Sequence, residues 1–446
     1  MKTPGSDGGR AVSDVKAAQA VDLAAVGDGH LSKLSRGLIG SEVLRIAAEI
    51  RTLVSQGHSV CNLTVGDFDP REFRPPDRLL AGVQKALAGG HTNYPPSNGT
   101  PELRQAVTRF YAREFGLEYP VESVLVAGGA RPLIYATYRA LVDPGDRVAY
   151  PVPSWNNNHY CYLTGAQGLP IEVGRESAFH PTPAQVRAVL PVIRLLALNT
   201  PLNPTGTAID PGALAEICRD LVGENQRRLA RGERPVFLMF DQVYWSLEFG
   251  RMTPLSPPAL VPEVAPYTVL LDAISKSLAA TGLRVGWSVA SPAVTQRMSD
   301  LLGHVGAWAP KAEQIATAEF LDDAEAFHAF RLEMHHKLRA RLDRLYRGFM
   351  ALGARGLPVE AVEPEGTLYL SARVDLFGRS LDGIRMENNE DIRKALLTGA
   401  GLAVVPFQAF GLARENGWFR LSVGAASLDA IEQGLERLGA MLERVG

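Results

Sequence analysis

Short apolar runs alternate with longer amphipathic stretches through the middle of the chain. Each run ends at a polar cluster, and the runs are Val124–Ala127, Arg147–Tyr150, Ile193–Leu198, Val236–Phe240 and Tyr267–Leu271. Runs of this length predict buried strands, and strands separated by helical stretches predict an α/β domain with a mostly parallel central sheet. Ligands of such sheets gather at the carboxyl ends of the strands, where these polar clusters lie.

Helices are predicted on both sides of this region. The apolar spacing from Val43 to Leu53 predicts an amphipathic helix that begins near Ser41. Thr100 before Pro101 predicts the cap of a helix that extends to Arg113. A charged amphipathic segment from about Glu313 to Leu352 predicts one long helix.

The C-terminal part of the chain has a different pattern. Short strands are predicted at Leu357–Val362, Thr367–Val374 and Phe419–Val423, followed by a helix from Ser427 to about Val445. We therefore expect a second, smaller α+β domain. The predicted organisation is a flexible extension at 1–30, a small domain from 31–75 and 335–446, and a large domain at 76–334.

Composition narrows the classes of function. Hydrophobic residues make up 46% of the chain and charged residues 21%, and the net charge is -2. This charge gives no reason to expect nucleic acid or an anionic membrane as a partner. The three cysteines show no CxxC spacing, and the adjacent pair His335-His336 points in two directions on a helix, so we expect no metal site and a cytoplasmic location.

Ser275-Lys276 is the first candidate for chemistry. The pair follows the predicted strand Tyr267–Leu271, and a lysine beside a buried strand loses its proton readily because desolvation disfavours the ammonium form. A neutral lysine amine forms a Schiff base with an aldehyde, and the serine hydroxyl and Arg284 suit a phosphate group. An aldehyde and a phosphate on one molecule describe pyridoxal phosphate (PLP), although a lone Ser-Lys pair is a weak signal.

A second candidate is the turn Gly128-Gly129-Ala130, which lies between a predicted strand and helix. Free backbone N–H groups and the helix dipole favour an anion there. The turn is neither a GxGxxG motif nor a loop ending in GK[ST]. A Rossmann dehydrogenase and a P-loop enzyme are therefore disfavoured.

Further polar residues lie at strand ends, and each admits two interpretations. Asp241 would pair with a cation such as a protonated pyridine nitrogen, or it would cap the next turn. Trp155 would stack on a flat ring or pack in the core. Asn203 and Tyr244 could hydrogen-bond a phenolate oxygen. Arg420 lies within an apolar strand and is expected to bind an anion, which is either a substrate carboxylate or an internal salt-bridge partner.

Taken in order, the motifs resemble the class I/II aminotransferase family of fold-type-I PLP enzymes, and in particular the aspartate aminotransferase group. The resemblance extends from about Leu34 to the end of the chain. The motifs that carry it are Asn62-Leu63-Thr64-Val65-Gly66, Asn93-Tyr94 with Gly99-Thr100-Pro101-Glu102-Leu103-Arg104, Pro153-Ser154-Trp155, Asn203-Pro204-Thr205-Gly206, Asp241-Gln242-Val243-Tyr244, Ser275-Lys276, Arg284-Val285-Gly286 and Phe419-Arg420-Leu421.

The resemblance implies a role for each candidate. Lys276 would form the aldimine with the cofactor and move the proton, and Asp241 would keep the pyridine nitrogen protonated. The ring would contact Trp155, Asn203 and Tyr244. The phosphate would be bound by Ser275, Arg284 and the backbone amides of Gly129, Ala130 and Arg131. Arg420, beside Gly66, would bind the substrate α-carboxylate, and Tyr94 would reach the phosphate of a neighbouring subunit in a homodimer with shared sites.

The sequence departs from the family pattern at several points. Ala273 replaces a hydroxyl residue, Arg131 stands where an uncharged residue is common, and Phe407 replaces the glycine of a Pro-Gly turn near the substrate pocket. No certain equivalent appears for the arginine that binds a second carboxylate in aspartate-specific members.

The predicted activity is transfer of an α-amino group from an amino acid to a 2-oxo acid. The altered turn at Phe407 leaves an alternative open, namely β- or γ-elimination or replacement on an amino acid such as S-adenosylmethionine. A transcriptional regulator built on an aminotransferase-like domain is disfavoured, because no basic recognition helix precedes the resemblance.

Overall fold

The computed structural model describes residues 23, 26–40, 42–57, 59–250 and 254–445. The described residues fall into two compact units, which are divided between Ile39 and Gly40. The first unit contains a 3-10 turn at Asp28–His30 and the short helix α1 (Lys33–Arg36). Most of the predicted extension at 1–30 lies outside the described residues, and its flexibility stays a prediction.

The second unit contains the other helices and the strands. The helices are α2 (Glu42–Ser55), α3 (Asp77–Ala88), α4 (Pro101–Phe115), α5 (Ala130–Leu141), α6 (Asn157–Thr164), α7 (Pro183–Val189), α8 (Pro211–Ala230), α9 (Pro257–Leu260), α10 (Ile274–Ser277), α11 (Pro292–Val305), α12 (Lys311–Leu321), α13 (Ala324–Ala354), α14 (Asn389–Ala400) and α15 (Leu428–Leu442). The strands are β1 (Cys61–Asn62), β2 (Val124–Ala127), β3 (Arg147–Val152), β4 (Gln167–Glu172), β5 (Leu195–Asn199), β6 (Phe237–Asp241), β7 (Thr268–Ala273), β8 (Gly286–Val289), β9 (Val359–Ala361), β10 (Tyr369–Val374), β11 (Ser380–Leu381), β12 (Ile384–Arg385), β13 (Leu402–Ala403), β14 (Val405–Pro406) and β15 (Trp418–Ser422).

Within the described residues, the largest sheet has seven strands in the order β2-β8-β7-β6-β5-β3-β4. The strands from β7 to β4 run parallel to their neighbours, whereas β8 runs antiparallel to both β2 and β7. The predicted α/β fold with a mostly parallel sheet is therefore confirmed. The strands β5 and β7 are buried along their whole length, as expected for strands covered on both faces.

A smaller antiparallel sheet has the order β14-β15-β10-β9 in the part of the chain that the structure describes. Arg420 of β15 lies opposite Ser371 of β10, and Tyr369 lies opposite Ser422. Tyr369 and Arg420 are thus diagonal neighbours on one face of this sheet. The strands agree with the predicted α+β segment, while the division into a small and a large domain stays a prediction.

The prediction of one helix from Glu313 to Leu352 is wrong. Helix α12 ends at Leu321, the backbone becomes extended at Asp323, and α13 begins at Ala324. The carboxylate of Asp323 accepts a hydrogen bond from the Ala326 N–H at 3.0 Å, so it caps a new helix. No helix among the described residues combines the length and apolar character needed to cross a bilayer.

Candidate active site

A cavity of about 400 Å³ opens at the carboxyl ends of β5, β6 and β7. The structure brings the following predicted site residues together on its wall: Gly66, Ala130, Arg131, Trp155, Asn203, Asp241, Tyr244, Ser275, Lys276, Arg284 and Arg420. A larger cavity of about 680 Å³ lies beside Phe179 and Trp418, where the polar wall includes the ion pair of Arg175 with Glu360. No described lysine lines this larger cavity, so the smaller cavity is the candidate active site.

Lys276 stands in this cavity because α10 begins directly after β7. Its Nζ donates a hydrogen bond to the Gly66 carbonyl oxygen at 2.5 Å and lies 5.6 Å from the centre of the Phe68 ring. Burial is the main cause that lowers the pKa of the Lys276 amine to about 8, with a smaller contribution in the same direction from three nearby arginines and an opposing one from Asp67. The neutral, nucleophilic form of this amine is therefore accessible near neutral pH.

Asp241 ends β6, and its carboxylate accepts a hydrogen bond from the backbone N–H of Val243 at 3.1 Å. The structure shows no ion pair between Asp241 and any described side chain. Burial raises the pKa of the carboxyl group to about 6. A carboxylate held in this state is ready to pair with a cation that enters the cavity.

Asn203 and Tyr244 form a polar chain on the neighbouring wall. The Asn203 amide nitrogen donates to the Tyr244 hydroxyl at 3.4 Å, and that hydroxyl is 3.0 Å from the hydroxyl of Tyr369. The same Asn203 side chain accepts a hydrogen bond from Arg420 Nη1 at 3.2 Å. These groups link the end of β5 to the small sheet.

The cationic end of the cavity is built where β8 approaches the start of α5. Arg284 donates to the carbonyl oxygens of Thr281 and Gly128, at 2.8 and 2.9 Å. Gly129 precedes α5 with φ +91, and a Cβ at this position would collide with the Arg284 guanidinium. The unpaired N–H groups of a helix start and an arginine side chain together form a site for an anion.

Arg420 is fully buried, and no carboxylate pairs with it among the described residues. Its Nη2 donates to the Thr64 carbonyl oxygen at 2.6 Å, and its Nε has no hydrogen-bond partner. The guanidinium carbon lies 4.6 Å from the Tyr369 ring centre and 4.9 Å from that of Phe410. Two aromatic rings therefore hold a cation whose charge the protein leaves unbalanced.

Trp155 and Arg131 share one side of the cavity. The Arg131 guanidinium carbon lies 5.3 Å from the Trp155 ring centre, and Trp155 also contacts Phe410 at a centroid distance of 6.2 Å. Arg131 is exposed at the cavity mouth. The departure at this position thus adds a cation to the cavity.

The other departures face away from the cavity. Phe407 is fully buried and packs against Trp418 and Phe179, with centroid distances of 6.2 and 5.6 Å. Ala273 is also fully buried and is not part of the cavity wall. The ring of Phe407 therefore does not narrow the cavity, which removes the observation that motivated an elimination reaction.

Tyr94 is not among the residues that line the cavity. Its side chain is 82% exposed and contacts the ring of Trp308 at 5.3 Å. Its predicted contact with a neighbouring subunit stays a prediction.

Sequence reasoning missed nine of the described residues of the wall, which are Val43, Ala47, Val65, Asp67, Ile134, Asn199, Val243, Thr281 and Tyr369. Tyr369 enters it from β10, Asp67 and Thr281 enter from loops, and Val43 of α2 covers one side. Tyr369 lies inside a predicted strand, but its position beside Arg420 depends on the register between β10 and β15. Asp67 follows the predicted Gly66, and no sequence pattern distinguished it from the nearby Asp69.

The comparisons with known proteins agree with this geometry. The family described as Aminotransferase class I and II matches residues 58–438. An aspartate aminotransferase of Geobacillus stearothermophilus is 31% identical over 93% of this chain and 99% of that protein, and an aspartate/prephenate aminotransferase of Thermus thermophilus is 30% identical over the same shares. The crystal structure of an aspartate aminotransferase from Rhizobium meliloti superposes with a TM-score of 0.84 at 26% identity, over 93% of this chain and 99% of that one.

These matches span nearly the whole chain and favour transamination over elimination. The chain belongs to the class I and II aminotransferase family.

Proposed function

We propose that this protein binds pyridoxal phosphate at Lys276 and transfers the α-amino group of an amino acid to a 2-oxo acid. The observation that carries the proposal is one cavity in which Lys276, Asp241 and Arg420 lie together and none of the three forms an ion pair with a described side chain. Enzymes of this family use PLP. When bound, PLP supplies an aldehyde that condenses with amines and a ring that withdraws electrons from the substrate α-carbon.

The residues present fit this cofactor. Arg284, the Ser275 hydroxyl and the amides of Gly129, Ala130 and Arg131 would bind its phosphate, since cations and free N–H groups meet at the start of α5. The Asp241 carboxylate would bind the ring nitrogen as a cation. The remaining ring contacts would come from Trp155, Asn203 and Tyr244.

Arg420 would bind the α-carboxylate of the substrate. The Tyr369 and Phe410 rings hold its guanidinium in place, and its unpaired Nε shows that the protein alone does not satisfy it. The Gly66 backbone would lie beside this carboxylate, where a side chain would collide with the Tyr369 hydroxyl.

Lys276 would take up and return the proton of the substrate α-carbon at its Nζ. A base with a pKa near the working pH is effective in this role, and burial lowers the pKa of this amine to about 8. We further propose a cytoplasmic homodimer in which Tyr94, exposed on one subunit, reaches the phosphate site of the other.

The first test is chemical attachment of the cofactor. Full-length protein is loaded with PLP, treated with borohydride and digested, and mass spectrometry is expected to find the added mass on the peptide that contains Lys276. Lys276→Ala should not form this adduct. Its rate of transamination should fall at least about 10³-fold, because proton transfer alone contributes a factor of about 10² to 10⁴. Lys311→Ala is the matched control, since Lys311 binds Asn93 at the surface.

The second test identifies the reaction. A panel of amino acids, S-adenosylmethionine included, is added to the loaded enzyme without an acceptor. We expect one 2-oxo acid and one pyridoxamine phosphate per active site. Release of ammonia or a cleaved side chain with the cofactor unchanged would contradict transamination.

A further inference from the structure

The segment Gly66–Phe68 surrounds the amine of Lys276. Gly66 accepts the hydrogen bond from Nζ, the centre of the Phe68 ring lies 5.6 Å from Nζ, and Asp67 between them lines the same cavity. The segment has little freedom to move. Its backbone packs so tightly against Gly424 that a Cβ on that glycine would collide with the Asp67 carbonyl oxygen.

The Asp67 carboxylate is fixed within this segment. Its Oδ1 accepts hydrogen bonds from the Thr281 hydroxyl at 2.6 Å and from the Phe68 N–H at 2.8 Å. Neither donor carries a charge, and no described arginine or lysine forms an ion pair with Asp67. Its negative charge therefore remains available to the groups in the cavity.

Asp69 provides a contrast two residues later. Its carboxylate pairs with Arg71, and Nη2 of that arginine lies 2.6 Å from Oδ2. Asp69 is not part of the cavity wall. The two aspartates of this loop thus differ in whether their charge is already neutralised.

The other charges around Lys276 are mostly positive. Arg420, Arg131 and Arg284 each disfavour the ammonium form of the amine, whereas Asp67 favours it. Asp241, at the end of β6, also lines the cavity and would be neutralised by the cofactor ring under the proposed function. Without Asp67, three arginines would act on the amine without a dedicated counter-charge.

We propose that Asp67 is a positioning residue that keeps Lys276 able to accept and hold a proton, and that Thr281 orients it. The inference rests on the proposed role of Lys276. When the C–H bond of the substrate α-carbon breaks, its proton binds the electron pair of Nζ, and the electrons of the bond stay on the α-carbon, from which the ring of bound PLP would withdraw them. The resulting ammonium shares the cavity with the Asp67 carboxylate. The proton is later returned from Nζ to carbon, and Asp67 is unchanged throughout.

The direct test is the titration of Lys276 in the full-length protein stripped of its cofactor. Trace labelling with acetic anhydride across pH, read on the Lys276 peptide by mass spectrometry, gives the midpoint at which the amine becomes reactive. We expect Asp67→Asn to lower this midpoint by about one pH unit, because a nearby opposite charge shifts a pKa by about 1 to 3. Asp69→Asn is the matched control and should leave it unchanged.

Two further variants protect the test against misfolding. Thr281→Val keeps the carboxylate but removes its hydroxyl donor, and it should lower the midpoint by less than Asp67→Asn. Asp67→Glu retains the charge, so its midpoint should lie close to that of the wild type. A midpoint that stays within 0.2 pH units, on the order of experimental error, in both Asp67→Asn and Thr281→Val would overturn the proposal.

Kinetics of the loaded enzyme give an independent readout. Asp67→Asn should lower kcat about 10-fold while KM for the amino acid changes less than about twofold, because proton transfer and not substrate binding is affected. The acid limb of the kcat profile should move to lower pH. A rise in KM of about 10-fold, with no movement of the acid limb of the kcat profile, would contradict the proposal. Since the labelling needs no turnover, it still decides the role of Asp67 if transamination itself is not found.

Discussion

Two buried arginines in this protein have opposite surroundings. Arg393 of α14 is 1% exposed and pairs with Glu390 at 2.6 Å and Glu49 at 3.0 Å. Arg420 of β15 is 0% exposed, and its partners among the described residues are neutral oxygens and two aromatic rings. One cation is neutralised within the fold, and the other is not.

The pKa of each side chain follows from this difference. Burial lowers the pKa of both guanidinium groups, and the carboxylates of Glu390 and Glu49 turn the net shift upward for Arg393 alone. A buried charge without a counter-charge costs stability, so a protein keeps one where a ligand supplies the missing partner. The comparison therefore supports the proposed binding role of Arg420 and indicates a stabilising role for Arg393.

Among the variants that test this comparison, Arg420→Met should have the largest effect on catalysis. We expect kcat/KM for the amino acid to fall about 10²- to 10³-fold, because removal of one partner of a buried charge pair costs about 2 to 5 kcal/mol. The loss should appear mainly in KM. Steady-state kinetics with a good amino donor measures it, and thermal unfolding of the cofactor-free protein should show no loss of stability.

Arg393→Met should have the opposite effects, lowering stability while leaving catalysis nearly unchanged. The change leaves Glu390 and Glu49 without their shared cation, and both carboxylates are 35% exposed, so water compensates in part. We expect a loss of about 2 kcal/mol in the free energy of unfolding. Urea unfolding measures this loss, and kcat/KM of the folded enzyme should stay within about threefold. A variant that is stable but inactive would break the comparison.

The sequence predicts the two arginines unequally well. Arg420 stands out because it interrupts an apolar strand, and its motif resembles that of a known family. Arg393 lies in a helix that no pattern singled out, and its partner Glu49 is far away in the chain. Contacts between such distant residues depend on tertiary packing, which local periodicity does not contain.

The secondary structure, too, is predicted where it depends on local periodicity and missed where it depends on tertiary contacts. The strands β2, β3, β5, β6 and β7 lie within a few residues of the apolar runs that predict them. The antiparallel strand β8 and the break before α13 escape prediction, because one depends on pairing and the other on a single capping aspartate. Likewise Tyr369 and Asp67 join the site through register and loop geometry, whereas the residues beside them on the cavity wall belong to motifs that the sequence displays.

Asp241 is the acidic counterpart of Arg420, because its charge also has no ion-pair partner among the described residues. The pH dependence of protein stability that Asp241 causes provides a further test of the comparison. Burial raises the pKa of its carboxyl group from 3.8 to about 6, so the native protein binds an extra proton between these values and loses stability as pH rises through them. Asp241→Asn should remove this slope in the cofactor-free protein. Above pH 6 the variant should be more stable by about 1 to 3 kcal/mol.

Unfolding of both proteins from about pH 4 to 7 measures this difference. The pKa of Asp272 is raised to about 8 mainly by burial and, as the smallest of the causes, by the charge of Asp241, so Asp272 contributes a similar slope to both proteins and the difference between them reports mainly on Asp241. The same variant should lose activity and gain less stability from added PLP than the wild type. A parallel pH dependence in the two proteins would show that Asp241 is neutralised within the fold, as Arg393 is.

The smallest effects concern the rings around Arg420. Phe410 faces its guanidinium, whereas Phe407, three residues earlier, packs on Trp418 away from the cavity. Phe410→Leu should raise KM for the amino acid about 3- to 10-fold, since one cation–π contact contributes about 0.5 to 2 kcal/mol. Phe407→Leu should lower stability by about 1 kcal/mol and leave KM and the choice of substrate unchanged. Kinetics and unfolding of these two variants decide whether substrate binding at Arg420 depends on the ring that contacts its guanidinium or on the packing of the whole turn. Equal changes in KM would show that position in the turn, and not contact with the cation, is what matters.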